Sequence, residues 1–330
     1  MKKLSHIPFI EDQKLIQMIK SDFLTELSQQ LDLLEVQAPI LTRQGDGIQD
    51  DLNGIEQPVS VSSKAMPQTM QVVHSLAKWK RQLLARADFA AGSGIVTQMR
   101  ALRPDEELLS ERHSICVDQW DWEKVITDQE RSLDYLKSTV ERIYSAMRAI
   151  DKKLAKQLAQ GELLPETIHF VHSEELLQQY PRLTPKEREY QICKQYGAVF
   201  LIGIGGQLSD GSIHDGRAPD YDDWSSETEL GCRGLNGDIL VWSPVLEDAF
   251  ELSSMGIRVS PEVMQQQLTI RGCEQRLDFE WHQQLMAGKL PQTIGGGIGQ
   301  SRLAMFFLQK PHIGQVQFSI WPETIAIDLL

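Results

Sequence analysis

Four glycines, Gly295, Gly296, Gly297 and Gly299, crowd into the stretch from Thr293 to Leu303, just ahead of Arg302. No other segment restricts the chain so closely. Glycine lets the backbone turn sharply and lets a flat ligand reach main-chain atoms with no Cβ in between. The pattern reads as glycines ending a short apolar strand, with an amphipathic helix from Arg302 to Gln309 starting at once. Arg302, one turn in, offers a planar, permanently charged fork to a nucleotide ring or to phosphates. This suits an ATP site, yet the two commonest nucleotide signatures are missing: G-x-x-x-x-G-K-[ST] occurs nowhere, and no G-x-G-x-x-G opens a first βαβ unit. A glycine turn before a core helix with a surface arginine explains the same residues equally well.

The 330 residues suffice for one large domain, and we expect a single domain over residues 1–330. The formal net charge of −13 argues against nucleic acid as a partner, since gripping a phosphate backbone needs a basic footprint. No apolar run approaches the roughly 20 residues of a membrane span, and the basic start, Met1 to His6, leads into no signal-peptide core. No membrane contact is expected, and a cytoplasmic location is the default. Cys116, Cys193, Cys232 and Cys273 are far apart and form no C-x-x-C motif, which fits reduced thiols.

Apolar spacing predicts a helix over about Glu11 to Leu31, a proline-bearing strand over Leu34 to Leu41, then strand and helix over Thr69 to His74 and Ala77 to Ala87. Gly94 to Leu102 and Ser114 to Trp122 read as a hairpin with a long polar connection, and Leu133 to Leu158 as a long amphipathic helix. Further strands are expected at Thr167–Val171, Val199–Ile204, Asp238–Trp242 and Glu251–Val259, and helices near Lys186–Tyr196, Pro261–Ile270 and Glu274–Met286. The order is not a regular βαβα alternation. It favours an α+β fold, an antiparallel sheet carrying helices.

In the first hairpin, period 2 places Val117, Gln119, Asp121 and Glu123 on one face and Trp120 and Trp122 on the other. Polar residues on the inner face of a core hairpin need partners or a ligand, unless that face is simply solvated. Asp238 and Glu251, on a second hairpin-like pair, could hold Mg²⁺ through oxygen, whereas Glu247 and Asp248 read as strand-end carboxylates facing water. Asp220, Asp222 and Asp223 read from composition as a solvated acidic loop. His169 and His172 fall on opposite faces of a strand and read as structural.

Together these pieces resemble the three signature motifs of class II aminoacyl-tRNA synthetase catalytic domains. The N-terminal helix with the Pro39 strand resembles the first motif, the Arg103 hairpin the second, and Gly295 to Arg302 the third. Ser75 to Lys80 and Glu251 to Arg258 are similar to segments of the aspartate-specific synthetases. The strings His74 to Lys80, Ala101 to Glu106, Val117 to Glu123, Ala218 to Trp224 and Leu252 to Val259 resemble, nearly end to end, the ammonia-dependent asparagine synthetases, or aspartate–ammonia ligases.

The resemblance implies a class II synthetase-like domain with a central antiparallel sheet flanked by helices. It implies a homodimer through the first motif, and L-aspartate, ammonia and ATP with Mg²⁺ as substrates and cofactor. Aspartate's β-carboxylate would attack the α-phosphate to give β-aspartyl-AMP and pyrophosphate, and ammonia would then displace AMP. The implied roles put Arg103 and Arg302 on the nucleotide and transition state, with His113, Asp238 and Gly299 also on ATP. They put the α-carboxylate of a flipped substrate on Lys80 and Arg258, and its α-ammonium on Gln119, Asp121 and Asp222, with Ser75 and Ser254 assisting. Asp238 and Glu251 would be the Mg²⁺ ligands, with Glu247 and Asp248 as rivals. Asp50, in a loop expected to close over the adenylate, would capture ammonium and take its proton.

Val117 stands where class II domains usually stack adenine on an aromatic, so adenine is expected to be held differently. Residue 2 is Lys2 and not the cysteine an amidotransferase would expose, so free ammonia is the expected nitrogen donor. The competing readings are an aminoacylating synthetase and a catalytically dead subunit that binds adenylate or an amino acid.

Overall fold

The computed structural model describes residues 9–50, 52, 56–104, 109–228 and 231–325. Asp105 and Glu106, which belong to one of the motif strings above, lie outside the described residues. In chain order the elements are α1 (Phe9–Leu31), β1 (Leu33–Glu35), β2 (Leu41–Arg43), β3 (Ser60–Ser63), β4 (Met66–Val72), α2 (Ala77–Arg86), β5 (Gly94–Leu102) and β6 (Cys116–Val125). Then come α3 (Leu133–Leu158), β7 (His169–His172), α4 (Ser173–Gln179), α5 (Pro185–Tyr196), β8 (Ala198–Ile202), β9 (Asn236–Ser243) and β10 (Asp248–Ile257). The chain closes with α6 (Pro261–Arg271), α7 (Glu280–Met286), β11 (Thr293–Gly299) and α8 (Gln300–Phe307).

Among the described residues, eight strands form one sheet in the order β1-β5-β6-β11-β10-β9-β8-β7, and β2-β4-β3 form a small second sheet. The large sheet is antiparallel from β5 to β8. Its two outer pairs, β1 with β5 and β7 with β8, are parallel. One face is covered by α1, α3 and α8. Leu15, Ile16, Ile19, Phe23, Leu27 and Leu31 recur at helical spacing on α1 and are buried in a core shared with Trp120, Trp122 and the inward row of α3. Phe23 lies on Trp120 with ring centroids 4.7 Å apart. The helix ends follow local chemistry. The Ser132 hydroxyl accepts from the Tyr135 N–H at the head of α3, and Thr184–Pro185 and Ser260–Pro261 start α5 and α6.

Several expectations are corrected here. The glycine run is not a turn that ends a strand; it is the strand β11 itself. Pro39 falls in the break between β1 and β2, not inside a strand, because it has no N–H to donate to a ladder. The Glu274–Met286 helix splits into a 3₁₀ turn (Glu274–Asp278) and α7. The acidic loop is not solvated: Asp220, Asp222 and Asp223 are each buried, and each is paired with a cation from elsewhere in the chain. His169 and His172 are structural. His169 stacks on Tyr196, while His172 caps α4 and meets the Arg233 carbonyl at 2.9 Å. All four cysteines are free, and no helix among the described residues is long and apolar enough to cross a membrane.

Candidate active site

The face of the large sheet turned away from α1 and α3 carries the site. Strand register decides which side chains meet there. Asp121 on β6 lies opposite Gly297 on β11, Gly297 opposite Ser254 on β10, and Ser254 opposite Asp238 on β9. Directly opposed residues share a face, so these four positions make one row across four strands. The neighbouring β6 positions, Gln119 and Glu123, lie opposite Gly299 and Gly295. This explains the glycines. A Cβ at Gly295 would collide with the Glu123 carboxylate, and one at Gly297 would come within 2.5 Å of Gln119 Oε1. Glycine is present to leave side-chain space above a strand.

The hollow is a cavity of about 1190 Å³, lined among others by Asp50, His74, Ser75, Arg103, Gln119, Asp121, Tyr221 and Asp222. Glu251, Ser254, Arg258, Gly299 and Arg302 continue the wall. A small-ligand pocket usually occupies ~300–1,000 Å³. Of the residues to which the resemblance gives a role, all reach this wall except Lys80, Asp238 and the rival metal ligands Glu247 and Asp248.

At one end the charges are already matched. The Lys80 ammonium is fully buried; it bonds the Asp121 carboxylate, donates to the Trp122 carbonyl at 2.8 Å and sits 3.6 Å from Glu123. It lies beneath the floor of the cavity. Lys80, expected to grip a substrate carboxylate, is engaged here by Asp121, Glu123 and the Trp122 carbonyl. Arg258 bridges Glu123 (2.8 Å) and Asp222, and Thr293 Oγ1 donates to Glu123 at 2.7 Å. Burial alone would raise the Glu123 pKa, but Arg258 and Lys80 outweigh it and hold the carboxyl below its ordinary value. The Leu76 N–H donates to the other Asp121 oxygen at 3.1 Å, which fixes that carboxylate from the start of α2. Ser75 precedes this helix and accepts from the Ala77 N–H at 3.2 Å.

At the other end the cations are less engaged. Arg103 leaves β5 at its C-terminal end. Its Nε is buried with no hydrogen-bond partner, and no carboxylate among the described residues lies within ion-pair distance of it. Burial lowers the Arg103 pKa, with Asp50 and Glu251 partly offsetting that fall. Arg302, on α8, reaches the Glu251 carbonyl at 3.1 Å and the Glu251 carboxylate only at 3.5 Å, with its guanidinium 5.8 Å from the Phe250 ring centroid. His113 meets Ser110 Oγ at 2.9 Å through Nδ1.

Behind this end sit two acids. Asp238 is bound by Arg217, yet burial and the nearby Glu251 charge push its pKa up to about 7. Glu251 resists the same burial because Arg302 and Arg217 hold its pKa down. The donors of the pair are all oxygen, and burial leaves Asp238 reluctant to ionise without more positive charge, so the pair fits a hard divalent cation. No group of three or more His, Cys, Asp and Glu poised for a metal occurs among the described residues. Mg²⁺ needs fewer, since it is commonly held by one or two carboxylates and substrate phosphates. The rivals fall away from the cavity: Glu247 is exposed at the β9–β10 turn, and Asp248 pairs with Arg112 at 2.6 Å.

Asp50 is buried in the wall beside the arginine end, where its Oδ1 accepts from the Leu52 N–H at 2.9 Å. Burial raises its pKa; Lys78 lowers it and Asp220 adds to the rise. Asp220 is itself held by Lys78 (3.0 Å), His282 (2.9 Å) and Arg276 (3.2 Å), which overcome burial and depress its pKa strongly.

Sequence reasoning missed Arg217, which reaches both Asp222 and Asp238. Its only local signal was its place just before the acidic loop. It also missed His74 as more than the start of a motif string.

The sequence pattern of the aspartate–ammonia ligase family is matched over residues 10–329. The chain belongs to that family. Aspartate–ammonia ligases are enzymes, and the fold of this member is that of class II aminoacyl-tRNA synthetase catalytic domains. The asparaginyl-tRNA synthetase of Pyrococcus horikoshii, solved with asparaginyl-adenylate, superposes with a TM-score of 0.67 at 13% identity over 93% of this chain and 68% of that one. The Entamoeba histolytica asparaginyl-tRNA synthetase, also with asparaginyl-adenylate, gives 0.64 at 15% identity over 93% and 66%. The aspartyl-tRNA synthetase of the same organism gives 0.61 at 14% identity over 93% and 58%. The ligase chain thus spans 58–68% of the length of these synthetases.

Proposed function

We propose that this chain couples L-aspartate to ammonia at the expense of ATP, through β-aspartyl-AMP, releasing L-asparagine, AMP and pyrophosphate. The observation that carries this reading is Arg103: a half-buried guanidinium on the cavity wall whose buried Nε has no hydrogen-bond partner, with no carboxylate among the described residues within ion-pair distance. Such a group needs an anion, and a reaction that brings a carboxylate to a phosphate supplies two. Support also comes from the family and from two fold relatives that hold an aminoacyl-adenylate.

The saturated end would take the amino-acid head. A guanidinium carries five N–H donors, so Arg258 can serve Glu123 and Asp222 and still meet the α-carboxylate. Lys80 acts from below, holding Asp121 in place. Asp121, Asp222 and Gln119, with Ser75 and Ser254 beside them, would receive the α-ammonium. The head being held there, the side-chain carboxylate points to the arginine end, where Arg103 and Arg302 screen its approach to the α-phosphate. His113 and Gly299 line the same end and would border the nucleotide. Glu251 and Asp238 would hold Mg²⁺, which when bound neutralises phosphate charge. Ammonia arrives mostly as ammonium near neutral pH, and Asp50, its pKa raised by burial, would take the proton.

The test is direct. Purified protein is incubated with ATP, aspartate and ammonium, and the products are separated. AMP, pyrophosphate and asparagine in equal amounts are expected. ADP and phosphate, or no aspartate-dependent exchange of pyrophosphate into ATP, would overturn the reading.

A further inference from the structure

His74 lines the cavity and has no solvent exposure. Its backbone N–H donates to Gln49 Oε1 at 3.0 Å, and Gln49 Nε2 donates in turn to the Val72 carbonyl at 2.9 Å, so the Asp50 loop is tied to the end of β4. The ring Nδ1 lies 3.1 Å from the Asp50 carbonyl. A carbonyl can only accept, so Nδ1 carries the hydrogen, and in the neutral form of the ring Nε2 is then a bare lone pair. That Nε2 is buried and has no hydrogen-bond partner. An unsatisfied buried acceptor of this kind calls for a donor.

Resting on the reaction proposed above, the geometry points to His74 Nε2 as a direct ligand of the incoming ammonium and as the second of two proton acceptors. Ammonium has four N–H donors and no lone pair. Water has two of each. The Asp50 carboxylate and the Nε2 lone pair offer two acceptors to one guest, which matches the four donors of ammonium better than the two of water. The proton count also asks for two bases. Ammonium plus the mixed anhydride gives amide, AMP and two protons. Asp50 takes the first proton and frees the nitrogen lone pair. That pair forms the C–N bond at the acyl carbon as the C–O bond to phosphate breaks, the electrons leaving on AMP. The nitrogen then sheds its second proton, to Nε2 of His74. Preference for ammonium over water at these two acceptors also limits hydrolysis of the adenylate.

The proposal is tested in the full-length protein with two variants, His74→Ala and His74→Gln, alongside wild type. Aspartate-dependent exchange of pyrophosphate into ATP is read first, because ammonium takes no part in it. Both variants are expected to retain exchange. His74→Ala should raise the ammonium KM at least tenfold and release more AMP than asparagine, through hydrolysis. His74→Gln, which restores an acceptor that cannot hold a proton, should keep ammonium KM near wild type while kcat for amidation falls. An ammonium KM in His74→Ala within twofold of wild type, or exchange lost in both variants in parallel with amidation, would overturn the assignment. Absence of exchange in wild type would instead sink the reaction itself.

Discussion

The two ends of the cavity are built from the same residue types and behave in opposite ways. Around Lys80, Asp121, Glu123, Asp222 and Arg258, every charge has a partner before any ligand arrives. At the other end, Arg103 makes no ion pair among the described residues and Arg302 meets the Glu251 carboxylate only at 3.5 Å. The first arrangement is a rigid, preorganised cradle, where each charge is costly to bury and is held by another. The second stores an electrostatic demand that only an anionic ligand meets. A substitution at the first end should therefore act on folding, and one at the second on chemistry.

The sharpest way to break this contrast is Glu123→Ala. It leaves Arg258 and Lys80 buried without their shared counter-charge, and removing one partner of such a network costs about 3–5 kcal/mol. Urea unfolding of the variant should show a loss of that size; a loss below ~1 kcal/mol would mean the cradle is not held by its charges. At the other end, Arg103→Ala should slow aspartate-dependent pyrophosphate exchange by about 10²–10³-fold, the usual cost of deleting a transition-state donor. Its melting temperature should hold or rise, since the change removes a half-buried cation whose Nε has no partner. A fall in melting temperature that matches the fall in rate would erase the distinction between the ends.

A smaller effect should come from the glycine strand. In Gly297→Ala the new methyl meets the Gln119 amide, and overpacking of this kind costs about 1–3 kcal/mol. We expect a higher aspartate KM with the ATP KM little changed, because Gln119 belongs to the cradle. The smallest effect is in pH dependence. The Asp238 pKa is raised to about 7, so the folded state keeps a proton that the unfolded chain releases near ~4. Stability of the unliganded protein should decline as pH rises through that interval, and Mg²⁺ affinity should increase as Asp238 ionises. Asp238→Asn should flatten both profiles. Calorimetric titration of Mg²⁺ with ATP at two pH values on either side of 7 checks the sign, and affinity that falls with pH would remove Asp238 from the metal site.

Much of the frame was legible beforehand. Residues Gly94–Leu102 and Leu133–Leu158 form β5 and α3 with the bounds that periodicity predicts. The alternation of Trp120 and Trp122 against Gln119, Asp121 and Glu123 shows which side of β6 is core and which is polar. The acidic loop was not legible, because Asp220 and Asp222 look like any solvated carboxylates until Lys78 and Arg258 arrive from distant segments. The glycine run was misread as a turn for a similar reason. Its purpose lies in the Glu123 and Gln119 side chains of the neighbouring strand, not in its own backbone.

Local rules, the apolar period of a helix or strand, its capping residues and the reactive groups a segment carries, were thus set by the sequence alone. Which charge answers which was decided only by the folded sheet. Arg258 and Glu123 lie 135 positions apart, and Lys78 and Asp220 lie 142 apart. Electrostatic pairing depends on distance and burial, and neither exists until strands from both halves of the chain stand side by side.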